Sequence, residues 1–146
     1  MAITKTKVIA IGAGGLLGPH IVAALDADTR FAVSIFPNHL TVHRTADSYP
    51  AAELLRAFKG QDVVVSTITA RDDSTQQQKA FIDTAVNAGV RRFVPSEFVP
   101  SRRNNKARKL LPQFVTPKLE TVDYLRSKEQ DGLEWTAFVT GMFIDP

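Results

Sequence analysis

Residues 7–25 read KVIAIGAGGLLGPHIVAAL, and the fold class follows from how that run divides. Lys7 to Ile11 form a short apolar stretch of the kind that a sheet covers on both faces. Glycines at 12, 14, 15 and 18 follow at once. Beyond them Leu16, Leu17, Ile21, Val22 and Leu25 fall at helical spacing, which predicts a helix from about Leu16 to Ala27. Pro19 fits that helix only in or near its first turn, where a missing N–H costs nothing.

The rest of the chain repeats the alternation. FAVSI (31–35) and LTVHR (40–44) read as a second and a third strand, separated only by Phe36, Pro37, Asn38 and His39. YPAAELLRAFKG (49–60) predicts a short helix with Leu54, Leu55 and Phe58 on one side and Gly60 as its stop. DVVVSTI (62–68) is a fourth strand, and STQQQKAFIDTAVNAG (74–89) a helix capped by Ser74 or Thr75, with Phe81, Ile82, Ala85 and Val86 facing inward. RRFVPSEF (91–98) is a fifth strand broken by Pro95. A polar, basic loop is expected from Val99 to about Leu110. TPKLETVDYLRSK (116–128) predicts a helix with Thr116 as N-cap and Pro117 at its first position. EWTAFVTGMF (134–143) is the last strand. Strands alternating with helices imply an α/β chain, with a mostly parallel sheet of about six strands and helices on both faces. No boundary is visible within residues 1–146, so one domain is expected.

Composition narrows the class. Of the 146 residues, 44% are hydrophobic and 23% charged, which suits a domain with a sizeable core. No apolar run approaches the 18 or so residues of a membrane span, and MAITKTKVIAIG does not read as a signal peptide. Cysteine is absent, which removes disulfides and thiolate chemistry and makes a cytoplasmic location the expectation. No H-E-x-x-H motif and no cysteine is present, so no metal is expected. Residues 91–128 hold ten of the eighteen Lys and Arg against three acids. That band reads as a solvated basic face or as a site for anionic ligands such as nucleotide phosphates. SRRNNKARK (101–109) has no aromatic residue to stack a base, which argues against nucleic acid.

The glycines carry the chemistry. G-x-G-x-x-G would need glycine at 17, where Leu17 stands; G-x-x-G-x-x-G is met by Gly12, Gly15 and Gly18. One glycine serves the tight turn, one lets the backbone approach a pyrophosphate, and one lets the helix pack on the strand. The helix that follows aims free N–H groups and a positive dipole end at the phosphates. Between a strand and a helix this motif predicts a dinucleotide site; the same residues could form a strand–helix turn that holds no ligand. An NAD-preferring site would place an acid about 20 residues on, but residues 31–46 contain none.

With GAGGLLGPHIVAAL, FKGQDVVVSTI, QKAFIDTAVNAGVRRFVPSEF, KLETVDYLRSK and GLEWTAFVTGMFID all in place, the chain resembles the NmrA-like, isoflavone-reductase-like family of atypical short-chain dehydrogenases, most closely its fungal members. AGVRRFVPSEF is the most specific of these pieces. The resemblance implies the amino-terminal, Rossmann-like cofactor domain of a reductase that uses NADP (as NADPH). Gly12, Gly14, Gly15, Leu16, Leu17 and Gly18 would hold the pyrophosphate. Thr67, Ile68 and Thr69 would lie along the cofactor, with Ser96 after the next strand. A family lysine near the nicotinamide and the substrate falls on Lys118. It shares a helix face with Val122 and Leu125, so it starts on the packed side and then either snorkels to solvent or reaches a pocket. The Y-x-x-x-K tyrosine of ordinary short-chain dehydrogenases is replaced by Phe114. Glu97 is expected to bond backbone.

The sequence departs from the family in three places. The second strand runs straight into FPNHLTVHRT (36–45), as though a cofactor-selecting loop of about ten residues, enough for a parallel crossover, were missing. His43 and Arg44 are the nearest substitutes for its charge. So short a link suits a hairpin, which would force the second or third strand out of the parallel sheet. After PSEF stand Val99 and Pro100, where the family has glycine and an acid. The half that builds the substrate pocket has no counterpart in the chain, so a truncated domain is expected. Two functions follow: the cofactor half of an NADPH-dependent reductase of small aromatic or conjugated molecules, or a protein without catalysis, either a dinucleotide-binding regulator or an inactive truncated paralogue.

Overall fold

The computed structural model describes residues 4–34, 49–68, 74–98 and 105–141. Five strands form one parallel sheet: β1 (Thr6–Ile11), β2 (Phe31–Ser34), β3 (Val63–Ser66), β4 (Arg92–Val94) and β5 (Glu134–Trp135), in the order β2-β1-β3-β4-β5. The register pairs Thr6 with Phe31 and Ile11 with Ser66, so β1 is clasped on both sides. The second strand is in the parallel sheet, beside β1. Residues 36–48, with the proposed third strand, His43 and Arg44, lie outside the described residues, as do Val99 and Pro100.

The helices are α1 (Gly18–Asp26), α2 (Ala51–Phe58), α3 (Ser74–Asn87), α4 (Asn105–Leu110) and α5 (Pro112–Ser127). Side chains alternate across the sheet. Ile9, Ile11, Val64, Ile68 and Phe93 face a core closed by Leu54 and Phe58 of α2, Phe81, Ile82 and Ala85 of α3, and Leu125 of α5. Ala10 and Val33 face the opposite side, where Val22 and Leu25 of α1 cover them. Right-handed crossovers require this split: the chain leaves β1 toward one side and β3 toward the other, so the helices land on opposite faces. Tyr124 ties α5 to α3 by donating its hydroxyl to the Asp83 carboxylate at 2.7 Å, and Lys128 adds an ion pair to Asp83 at 2.9 Å.

Several boundaries differ from expectation, among them the expected fifth strand, 91–98, which is cut to Arg92–Val94. α1 starts at Gly18, because Leu16 and Leu17 are spent in the turn, with Leu17 as the N-cap. α5 starts at Pro112, not Pro117, which lies inside the helix. Pro112 takes the first position, where no N–H is needed. An inward stripe of Val115, Lys118, Val122 and Leu125 then carries the helix through Pro117. The second half of the basic loop is helix α4, built from the strong helix formers Lys, Ala, Arg and Leu, with no buried side chain to mark it. The last strand shrinks to Glu134–Trp135 because its neighbour β4 stops at Val94, before Pro95 removes a donor.

Candidate functional site

In an open parallel sheet, ligands bind beyond the carboxyl ends of neighbouring strands whose connections leave in opposite directions. Here those strands are β1 and β3, and the glycine loop sits at that place. Gly12 has φ +76°, a conformation that side chains rarely adopt. A Cβ on Gly12 would stand 2.9 Å from the backbone N of Ile68 and 3.0 Å from the carbonyl carbon of Thr67, so the loop leans directly on the end of β3. Gly15 N–H donates to Gly12 O at 3.0 Å and closes the turn. A Cβ on Gly18 would meet Ala13 backbone atoms at 2.5–2.6 Å. This glycine therefore sets the approach of α1 to the loop. A Cβ on Gly14 would have nothing within 4 Å, and Leu16 stands 84% exposed. No side chain caps α1, so none competes for the amides at its start.

A ladder of polar contacts continues along the same edge. Thr67 donates through its N–H and its hydroxyl to Ile11 O, at 2.8 and 2.9 Å. Ser96 Oγ donates to Ile68 O at 2.8 Å, and Ser96 N–H to Gln78 Oε1 at 3.3 Å. Ser96 O accepts from the Lys118 ammonium. The expected positions Ile68, Ser96 and Lys118 are thus linked by hydrogen bonds, with Thr67 tied to β1 beside them, alongside the loop of Gly12, Gly14, Gly15, Leu16, Leu17 and Gly18. Thr69 lies outside the described residues. Gln78 was not singled out in the sequence, although it occupies an apolar position of the stripe 78, 81, 82, 85 and is only 2% exposed. A glutamine on an inward stripe is itself a signal, because a buried amide must find partners.

Lys118 does not snorkel. It is buried, on the inward face of α5. Burial lowers its pKa from the ordinary lysine value, and the charge of Glu97 acts the other way. The consequence for stability has a definite sign. Between the folded pKa and the ordinary 10.5, the unfolded chain holds a proton that the folded chain has shed, so the contribution of Lys118 to stability rises with pH. Below that window the cost of the buried charge is present in full. Urea midpoints of wild type and Lys118→Met, compared from neutral pH to pH 10.5, are expected to move in favour of wild type as pH rises. A pH-independent difference would contradict the shift.

On the outer side of α5, a groove of about 500 Å³ is lined by Asn105, Arg108, Lys109, Thr116 and Leu119, which places part of the basic band on an open surface.

The sequence profile of the NmrA-like family matches residues 4–145. The oxidoreductase aprR of Aspergillus flavus is 56% identical over 148 aligned positions, covering 95% of this chain and 49% of that protein. The isoflavone reductase homolog IRL of Zea mays is 29% identical over 161 positions, covering 98% of this chain and 50% of that one. Both alignments are longer than the chain's own 146 residues, so both relatives carry residues with no counterpart here. AtPrR2 with NADP+ and (+)pinoresinol matches with a TM-score of 0.75 at 22% identity, over 93% of this chain and 50% of that one. The Citrobacter sp. triphenylmethane reductase complexed with NADP(H) matches with a TM-score of 0.66 at 18% identity, over 90% and 48%. The chain spans about half the length of the curated relatives it matches. The structural likeness shows a Rossmann-like fold that covers about half of each of these two structures.

Proposed function

The chain belongs to the NmrA-like family, and from that premise we propose that residues 1–146 are the dinucleotide-binding domain of an NADPH-dependent oxidoreductase of small aromatic or conjugated molecules. The observation that carries this reading is the glycine loop. It lies at the sheet's switch point, leans on the backbone of Thr67 and Ile68, and opens onto free space at Gly14. These residues fit a pyrophosphate. Two close backbone approaches that a Cβ would block fix the loop's shape, and the start of α1 has no competing cap. The backbone of Gly12, Gly14, Gly15, Leu16, Leu17 and Gly18 would hold it. Thr67, Ile68, Thr69 and Ser96 would flank the rest of the nucleotide. NADPH held there would supply a hydride. What the chain contributes is orientation, together with a cation at Lys118. The aprR and IRL proteins are named as an oxidoreductase and an isoflavone reductase homolog, which supports the class. Among the described residues no helix is long and apolar enough to cross a membrane, and we place the protein in the cytoplasm.

A second reading, a dinucleotide-binding regulator without catalysis, is favoured by one observation. Lys118 is buried with its ammonium on Ser96 O, rather than presented at an open surface. NADPH fluorescence tests both. Enhancement on adding the chain, with NADPH consumed in the presence of a carbonyl or enone acceptor, is the reductase result. Enhancement without consumption favours the regulator, and no enhancement removes both.

Selectivity is expected to be weak. Residues 31–46 offer no acid to repel a 2′-phosphate, and neither Ile35 nor Phe36 can pair with one. A charge-assisted phosphate contact is worth about 1.5–3 kcal/mol. Without a dedicated one, NADPH is expected to exceed NADH in affinity by less than about tenfold at moderate salt. Parallel titrations with the two nucleotides measure this, and strong NADPH selectivity would show that another residue supplies the contact.

A further inference from the structure

Gln78 stands where packing alone would not put it. It lies on the inward stripe of α3 with Phe81, Ile82 and Ala85, and is 2% exposed. An apolar side chain would fill that place without burying an amide, which costs stability unless the amide is hydrogen-bonded. Its carboxamide oxygen has a partner in another element, the N–H of Ser96, at 3.3 Å.

That N–H has few other places to go. β4 keeps register with β3 up to Val94, and Pro95, which has no N–H, then takes the chain out of the ladder. Glu97 N–H donates to Pro95 O at 2.8 Å, which closes a three-residue turn with Ser96 at its apex. Ser96 is 6% exposed, so its N–H is a buried donor that the ladder no longer serves. Gln78 satisfies it from the second turn of α3.

The same turn meets two further elements. The Ser96 hydroxyl donates to Ile68 O at 2.8 Å, and Ser96 O accepts from the Lys118 ammonium. On its other side Ile68 bears the glycine loop, since a Cβ on Gly12 would stand 2.9 Å from its N. Ser96 thus ties the backing of the loop to the lysine of α5. A lysine reaches its acceptor on a flexible four-carbon stem, so the peptide that receives the Lys118 ammonium decides where it stands.

We propose that Gln78 is a positioning residue: by holding the Ser96 N–H it fixes the turn that keeps the Lys118 ammonium at a constant place relative to the glycine loop. The positioning stands on the hydrogen bonds. Its use beside a nucleotide rests on the reductase reading above.

The test uses the full chain. Hydrogen exchange of wild type is expected to show the Ser96 amide protected much as the Phe93 and Val94 amides are; an unprotected Ser96 amide overturns the proposal. Gln78→Met keeps the reach of the side chain and removes its oxygen. It is expected to speed Ser96 exchange by about tenfold or more, through local opening. It is also expected to move the ε resonance of Lys118, assigned with Lys118→Arg, while that of Lys128 stays. A lost core contact would weaken the fold without singling out Lys118, and an unmoved Lys118 resonance in folded Gln78→Met overturns the proposal. Gln78→Glu keeps an acceptor oxygen and is expected to keep Ser96 protected; loss of protection there overturns it as well. If Gln78→Met does not fold, Gln78→Asn, whose amide falls one carbon short, is read in the same way. With NADPH and a carbonyl or enone acceptor, the variant is expected to lower kcat by about tenfold with little change in KM for NADPH, and an unchanged kcat overturns the proposal. Failure of the reductase reading shows separately, as wild type that neither enhances NADPH fluorescence nor consumes NADPH while the exchange and resonance changes persist.

Discussion

Gly18→Ala is expected to destabilise the domain by about 3 kcal/mol or more, the upper end of what overpacking costs and a large part of a total of roughly 5–15 kcal/mol. The added methyl would sit 2.5–2.6 Å from backbone atoms of Ala13. Backbone cannot step aside as a side-chain tip can. Either the whole of α1 tilts away, exposing the Val22 and Leu25 contacts with Ala10 and Val33, or the loop itself opens. A urea midpoint reads the loss. Gly14→Ala is the matched control, because its Cβ would meet nothing within 4 Å, and its midpoint is expected to stay near wild type. Equal midpoints for the two variants would mean that the close approach at Gly18 does not govern the fold.

The largest functional effect is expected at Gly15. Its N–H closes the turn onto Gly12 O, and in the proposed reading a pyrophosphate would lie against this bend. A valine there would put a branched side chain where the proposed phosphates lie, and a loss of about 100-fold or more in dinucleotide affinity is expected, roughly 2.7 kcal/mol. The measurement is an NADPH titration of Gly15→Val, with its urea midpoint taken alongside. A folded variant that binds as wild type does would show that the glycines form only a turn.

The features legible in the sequence were those whose cause is local. The strand, glycine turn and helix of residues 7–25 are carried by neighbouring residues, and they reappear as β1, the loop and α1. The inward face of α3 was legible because Phe81, Ile82 and Ala85 keep helical spacing, and all three are fully buried. The start of α5 was not, because two prolines, 112 and 117, each look like a first helical residue, and only packing against the sheet decides between them. Helix α4 was hidden because its polar residues show no periodicity. The length of β5 depends on where its partner ends, which no pattern within EWTAFVTGMF reveals. At the candidate site the glycines and the packed side of Lys118 were legible from spacing. The burial of Glu97, and its effect on Lys118, depend on how β4 and α5 meet far apart in the chain.

The placement of β1 has a consequence in time. It is made before the other four strands, yet it lies in the interior of the sheet, and its second edge is filled by residues 63–66. At a synthesis rate of about 5–20 residues per second, those partners follow Ile11 by roughly 3–11 seconds. During that interval a nascent chain presents Val8, Ile9, Ala10 and Ile11 as an apolar strand with at least one open edge, the condition in which chains pair wrongly or need shelter. The glycine loop shares the delay. Gly12 rests on the backbone of Thr67 and Ile68, so the loop has no backing until the ribosome has passed residue 68.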